Sequence, residues 1–216
     1  MKISVKDGPS GDIQTGVTVS GALSELGVSD QNILAAKVGG AVVDLSSALS
    51  GNSIVEPLRF DSAEGREVYR HSSTHLMAQA VKELFPAAQL TIGPALEDSF
   101  YYDFAFERPF TPEDLQRIEE RAAEIIKRNL AITRREFSKQ DAIVFFTSRG
   151  EHYKVELIQG FPDGEPITAY TQGDFVDLCR GPHLPTTGVI GAIKLLTTGG
   201  AYWRGDERNP MLQRIY

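Results

Sequence analysis

Up to about Phe60 the chain alternates short β-like runs with turn-forming clusters: KISV, DGPSGD, TGVTV, a short helical stretch SGALSEL, and AAKVGGAVVDLS. This punctuation predicts a small sheet carrying one helix. The Gly39-Gly40 pair between KV and AVVDL predicts a two-residue hairpin, because glycine accepts the positive φ angles of a primed turn at low cost.

The segment from Phe60 to Gly65 breaks that pattern, and a helical period follows. Val68, Leu76, Ala80 and Leu84 recur at helical spacing through REVYRHSSTHLMAQAVKELF, up to a stop at Pro86. A second helix is signalled by Thr111 as N-cap, Pro112 at the first helical position and acidic Glu113 and Asp114 at the positive end of the dipole. Its expected buried face is Leu115, Ile118, Ala122, Ile125 and Ile126. A shorter helix is expected from Ser138 through KQDAIVFF, and YYDFAF, KVELI, PITAY and AIKLLTT read as strands. The sequence contains no internal repeat and no low-complexity tract. Two domains are expected, a sheet-and-helix module over 1–61 and a mixed α and β unit over 62–216.

Composition narrows the functional classes. With 41% hydrophobic and 24% charged residues, the 216-residue chain can bury a core, and wholesale disorder is excluded. No apolar run approaches the roughly 20 residues needed to span a bilayer, and MKISVKDGPSGD lacks the regions of a signal peptide, so a cytoplasmic protein without a membrane partner is expected. The formal charge of −7 argues against a chain devoted to gripping nucleic-acid backbone. Any local patch would be built from Arg128, Arg134 and Arg135, or from Arg204 and Arg208, and a solvated charged face is the commoner origin of such clusters.

The candidate chemistry is concentrated. Three of the 4 histidines and the single cysteine fall into His71-Ser-Ser-Thr-His75 and Cys179-Arg-Gly-Pro-His183. On a helix, His71 and His75 stand at i and i+4 and share one face. Gly181 and Pro182 force a turn in the second motif, so Cys179 and His183 would converge from a loop. Either motif alone could be a surface accident or a packed thiol; together they imply a site. Three readings fit the residue types. One is zinc held by His71, His75, Cys179 and His183. Another is a metal-free hydrolytic site in which imidazoles handle a water and Asp177 fixes a tautomer. The last is Cys179 as a covalent nucleophile with His183 as its base.

The strings RHSSTHLMAQAVKELFP, VDLCRGPHLPTTG and AYWRGDERNPMLQRIY resemble bacterial threonyl-tRNA synthetases, and the likeness spans nearly the whole chain. It implies an α+β fold: a small ubiquitin-like β-grasp domain of the TGS type over 1–61, then a larger editing domain over 62–216 with helices on a mainly antiparallel sheet. The editing domain is shared in outline with alanyl-tRNA synthetases and free-standing alanyl-tRNA deacylases. The family's aminoacylation core and anticodon-binding domain would follow Tyr216, so threonine activation is not expected of these residues. The chain resembles an excised N-terminal fragment or a stand-alone proofreading protein.

The resemblance further implies hydrolysis of serine from mischarged Ser-tRNA(Thr). Serine differs from threonine by one methyl group, and a pocket distinguishes such a pair by only about 1–3 kcal/mol, so a second, hydrolytic sieve is needed. His71, His75, Asp177, Cys179 and His183 match the family's editing positions, Lys154 matches its lysine, and Tyr102 and Tyr170 would shape the substrate pocket. The implied partners are the acceptor end of tRNA(Thr) carrying serine and the remainder of the synthetase. The family resemblance implies no cofactor for editing. The alternatives are a zinc-dependent deacylase of the alanyl type and a non-catalytic module that binds the tRNA acceptor end.

Overall fold

The computed structural model describes residues 1–216. It is a mixed α/β structure with five helices and three sheets. The first sheet comprises β1 (Lys2–Val5), β2 (Ser10–Asp12), β3 (Ala35–Val38), β4 (Ala41–Val43) and β5 (Ser53–Leu58), in the order β2-β1-β5-β3-β4. β1 and β5 run parallel at its centre, and the other pairs are antiparallel. Helix α1 (Val19–Glu25) buries Val19, Ala22 and Leu23 with Ile3, Val5 and Val55 of the sheet. The predicted hairpin is present: Val38 pairs with Ala41, and Gly39 and Gly40 have φ of 57° and 86°.

TGVTV does not form the expected strand. Thr18 instead caps α1, its hydroxyl accepting the Gly21 N–H at 3.1 Å, and Val19 enters the helix. The N-cap bond satisfies an amide that a helix start otherwise leaves without a partner, and here it outweighs the β preference of Val and Thr.

The remaining residues surround α2 (Ala63–Leu84), capped by Ser62. Every residue from Ser72 to Val81 on this helix is buried. An apolar or small-residue helix can be enclosed in this way provided its hydroxyls find partners. Ser73 and Thr74 donate to the carbonyls of Tyr69 and His71 at 2.9 and 2.6 Å. Around α2 the largest core joins Leu76, Met77, Ala80 and Val81 to Tyr102, Phe104, Ile118, Ile125 and Tyr170, and also to Ala35 and Leu58 of the first sheet and to Leu34 just before β3. The first sheet therefore packs directly on this core.

Helix α3 (Pro112–Arg128) has the Thr111 cap, completed by Asp114 as a reciprocal capping box. It buries Ile118, Ala122 and Ile125, with Leu115 and Ile126 half-buried at the margins. A sheet of β11 (Thr198–Tyr202), β12 (Met211–Ile215), β7 (Tyr102–Ala105) and β6 (Gln89–Leu90) runs in that order, antiparallel throughout. The third sheet, also antiparallel, has the order β10 (Phe175–Leu178), β9 (Ile167–Gln172) and β8 (Ile132–Phe137). Helices α4 (Lys139–Ser148) and α5 (His152–Gln159) cover it through Ala142, Phe146 and Ile158.

Two further sequence expectations are corrected. KVELI lies within α5, where the buried residues Lys154 and Ile158 are four apart, the helical rather than the strand period. AIKLLTT is largely irregular. The Leu195 amide bonds to the Glu119 carboxylate at 2.7 Å, and only Leu196 and Thr197 exchange backbone bonds with Tyr216 at the end of the β11–β12 pair. No helix is long and apolar enough to cross a membrane.

The entry into α2 is sterically tight. A Cβ added to Gly65 would stand 1.9 Å from the Arg59 carbonyl oxygen, which is backbone and cannot swing aside. Gly65→Ala is expected to destabilise the fold by about 2–3 kcal/mol, the scale of overpacking in a close contact. Urea unfolding checks this, and an unchanged midpoint would contradict it.

Candidate active site

Helix α2 carries His71 and His75 on one face with ring centroids 5.2 Å apart. The opposite wall comes from β10 and the loop after it. Asp177 lies in β10 opposite Tyr170 of β9, Cys179 follows the strand end, and Gly181, at φ 73°, turns the chain so that His183 comes back to the helix. Centroids of the His183 ring lie 4.5 Å from His71 and 4.4 Å from His75. Both predicted motifs thus meet.

The contacts among them form an ordered chain of hydrogen bonds. Ser72 Oγ accepts the Leu184 N–H at 3.0 Å and lies 3.0 Å from His183 Nδ1. With the hydroxyl proton donated to Nδ1, the other ring nitrogen carries hydrogen and donates to Cys179 Sγ at 3.3 Å. The thiol in turn donates to His71 Nε2 at 2.9 Å, while the sulfur also accepts the Gly181 N–H at 3.2 Å. The ligand atoms of His71, His75, Cys179 and His183 all lie within 4.8 Å of one another, so the cluster could hold a metal ion. One thiolate and three imidazoles are ligand types that zinc accepts.

Beside the histidines is a second polar group. Lys154, from α5, and Asp177 are 3% and 1% exposed, and Nζ stands 2.6 Å from Oδ1. Nζ also donates to the Thr91 carbonyl at 2.7 Å and to the Tyr102 hydroxyl oxygen at 3.1 Å, and Tyr102 donates to Asp177 Oδ2 at 2.6 Å. The nearest imidazole nitrogen, His75 Nε2, is 3.7 Å from Asp177, beyond hydrogen-bond reach. Asp177 therefore anchors Lys154 and Tyr102 rather than fixing an imidazole tautomer directly. Gly93 packs over Tyr102 so closely that a Cβ there would lie 2.1 Å from the ring, which holds the phenol in place.

Burial sets the charge states. It lowers the pKa of His71, and it lowers those of His75 and His183 well below the usual histidine value, with neighbouring imidazoles adding to the effect on the latter two. These rings are neutral at pH 7, suited to holding a water by hydrogen bonds and only weakly basic. Burial also pushes the Cys179 thiol up to about 12, against the opposing pull of the Gly181 N–H. The thiol keeps its proton near neutrality, which counts against the covalent-nucleophile reading. Burial raises the Tyr102 pKa well above its ordinary value, with Asp177 adding to the shift, so the phenol remains a donor.

His71, His75, Tyr102, Lys154, Asp177 and Cys179 line one cavity of about 660 Å³, within the range of small-molecule sites. His183 and Tyr170 do not line it: His183 is buried behind Cys179, and the Tyr170 hydroxyl donates to Asp44 Oδ2 at 2.7 Å. Thr91, Ser72 and Asp44 were not singled out from the sequence, since nothing in their spacing links them to the two motifs. The arginine clusters are mostly neutralised, Arg128 by Glu83, Arg134 by Glu136, Arg204 by Glu156 and Arg208 by Asp206, while Arg135 lies over the Phe137 and Phe145 rings.

The segment that supplies Asp177, Cys179 and His183 defines the class: residues 167–216 match the family described as the threonyl and alanyl tRNA synthetase second additional domain. Whole-chain similarity is narrower in kind. The chain is 54% identical over 202 residues to a threonine-tRNA ligase of Acidithiobacillus ferrooxidans, covering 94% of this chain and 31% of that protein. Threonine-tRNA ligases of Symbiobacterium thermophilum and Clostridium tetani are each 49% identical, over 99% and 100% of this chain and 33% and 34% of their own length. Threonyl-tRNA synthetase homologues thus cover 94–100% of the chain. The chain spans about a third of the length of these relatives.

Proposed function

We propose that this chain is the proofreading region of a threonyl-tRNA synthetase and hydrolyses the ester of mischarged Ser-tRNA(Thr). The observation that carries the reading is the cavity itself, in which neutral imidazoles of His71 and His75 face the Lys154–Asp177–Tyr102 group. Its partner is the acceptor end of tRNA(Thr), delivered by the remainder of the synthetase, and its setting is the cytoplasm. Residues 62–216 are the editing domain. Residues 1–61 are a TGS-type β-grasp domain, a reading supported by the parallel pairing of β1 with β5 and by α1 packed on the sheet.

In this reading the seryl ester enters with its carbonyl near Lys154, whose ammonium stabilises the negative charge that develops on the carbonyl oxygen. His71 and His75 orient the attacking water. The protonated thiol of Cys179 shapes the end of the pocket that must admit serine and obstruct the threonine methyl, and the neutral His183 ring behind it holds Cys179 in place. As the ester bond breaks, the proton lost by the attacking water passes to the leaving ribose oxygen, relayed by a second water or by the adjacent ribose hydroxyl, each of which gives up one proton and takes one in return. Were zinc held by His71, His75, Cys179 and His183, it would supply Lewis-acid polarisation of water or carbonyl, as in the alanyl type. The donor set leaves that reading standing beside the metal-free one.

The chain is expected to release serine from Ser-tRNA(Thr) at least about tenfold faster than threonine from Thr-tRNA(Thr), the scale of a one-methyl sieve. Single-turnover release of radiolabelled amino acid measures it, and equal rates would overturn the reading. Release should persist in excess chelator; abolition by chelator with recovery on adding zinc would establish the zinc-dependent alternative.

A further inference from the structure

Asp44 stands just past β4, in the first sheet, yet it reaches the site described above. It is 8% exposed, and its two carboxylate oxygens have separate partners. Oδ1 accepts the backbone N–H of His183 at 2.7 Å, and Oδ2 accepts the Tyr170 hydroxyl proton at 2.7 Å. Tyr170 then holds the catalytic loop from its other side. Its ring lies 4.4 Å from that of His183, centroid to centroid, and Gly181 passes so close that a Cβ there would meet the Tyr170 oxygen at 2.0 Å. The Asp44 backbone is itself secured, since its carbonyl accepts the Ser47 N–H at 3.0 Å, and the carbonyls of Leu45 and Ser47 accept the Ser20 and Val19 amides at the start of α1.

We infer that Asp44 is a positioning residue through which the N-terminal sheet sets the Cys179–His183 loop. A hydrogen bond to a carboxylate is about twice as strong as one between neutral groups, and two of them on a single buried residue fix both the backbone of His183 and the phenol above it. His183 Nε2 in turn lies 3.3 Å from Cys179 Sγ in a hydrogen bond, and Cys179 bonds His71, so an error in the loop reaches the cavity wall. Asp44 is absent from that wall and does not touch the substrate position; it acts through His183. The first sheet is accordingly a structural part of the proposed hydrolytic site. The consequence for turnover rests on the hydrolytic reading proposed above, whereas the clamp on the loop does not.

The test compares the 216-residue wild type with Asp44→Ala, Asp44→Asn and Tyr170→Phe. Two readouts are used: the amide shift and hydrogen exchange of His183 by NMR, and single-turnover seryl release resolved into rate and half-saturation. In Asp44→Ala, the His183 amide should move upfield and exchange at least about tenfold faster, with release slowed by a similar factor at nearly unchanged half-saturation, given the strength of a charge-assisted bond. Asp44→Asn keeps an acceptor for the His183 N–H and should restore most of the protection. Tyr170→Phe should give an intermediate effect. Wild-type exchange at His183 in both Asp44→Ala and Tyr170→Phe would overturn the inference. If Asp44→Ala does not fold, Asp44→Asn and Tyr170→Phe decide it, the same exchange readout applying. Absence of seryl release in the wild type would count against the hydrolytic reading, while the exchange comparison would still decide the clamp.

Discussion

Replacing Lys154 by Met is expected to lower seryl release by more than about 10²-fold, in the range seen when one preorganised electrostatic donor is removed from a catalytic site. The ammonium is buried and held at three points, by Asp177, Thr91 and Tyr102. Because it is fixed before substrate arrives, the role proposed for it in stabilising the developing charge would need no reorganisation. The same substitution should also weaken the fold. Asp177 would lose its ion-pair partner while remaining almost fully buried, a situation that typically costs about 3–5 kcal/mol. The two effects are separable: in Lys154→Met with Asp177→Asn, no charge is left buried, so stability measured in urea should largely return while release stays low. Wild-type turnover in the double variant would show that Lys154 serves the fold and not the reaction.

Stability should fall as pH is lowered from about 6.5, before any general acid unfolding. His71, His75 and His183 have folded pKa values below the ordinary value of 6.5, chiefly through burial. Below that value the unfolded chain binds protons that the folded chain refuses, so proton uptake favours unfolding. The contribution of these neutral rings is therefore complete above about pH 6.5 and is lost as the pH falls toward the lowered folded values. Each ring adds a slope of up to about 1.4 kcal/mol per pH unit, and three together approach about 4 kcal/mol per pH unit. The carboxylates act elsewhere. Asp30, Glu64 and Asp114 are lowered by hydrogen bonds, to Asn32 and Arg59, to Lys37, and to Arg108 respectively, and their contribution is lost only below the ordinary carboxylate range. Urea unfolding at intervals from pH 7.5 to 5, in chelated buffer, measures the slope; a flat profile would mean that the histidines are more hydrated than their burial implies.

The helices with explicit start signals were legible in advance. Thr111-Pro112-Glu113-Asp114 carries its own N-terminus, and Ser138 caps α4 as expected, because capping depends on atoms within a few residues. The KVELI segment was not legible, since five residues with apolar groups at both even and odd spacings satisfy either period. What selects the helix is the burial of Lys154 and Ile158 together, with Lys154 aimed at a carboxylate that lies in β10. AIKLLTT has a strand's apolar content, yet a tertiary partner takes its Leu195 amide, the Glu119 carboxylate of α3, and this is invisible in local sequence.

By itself the sequence determined which atoms could do chemistry: two short motifs, each with its first and last candidate ligand four positions apart, and a helix that must place His71 and His75 on one side. Those are consequences of local covalent spacing and helical period. Only the tertiary structure decided that the motifs meet, that Asp177 anchors Lys154 and Tyr102, that His183 and Tyr170 stand behind the cavity, and that Asp44 reaches them from the first sheet. The physical reason is burial. Removing these groups from water neutralises the imidazoles, keeps the thiol protonated and makes the buried polar atoms depend on protein partners, and those partners are chosen by packing between segments far apart in sequence, 139 residues in the case of Asp44 and His183.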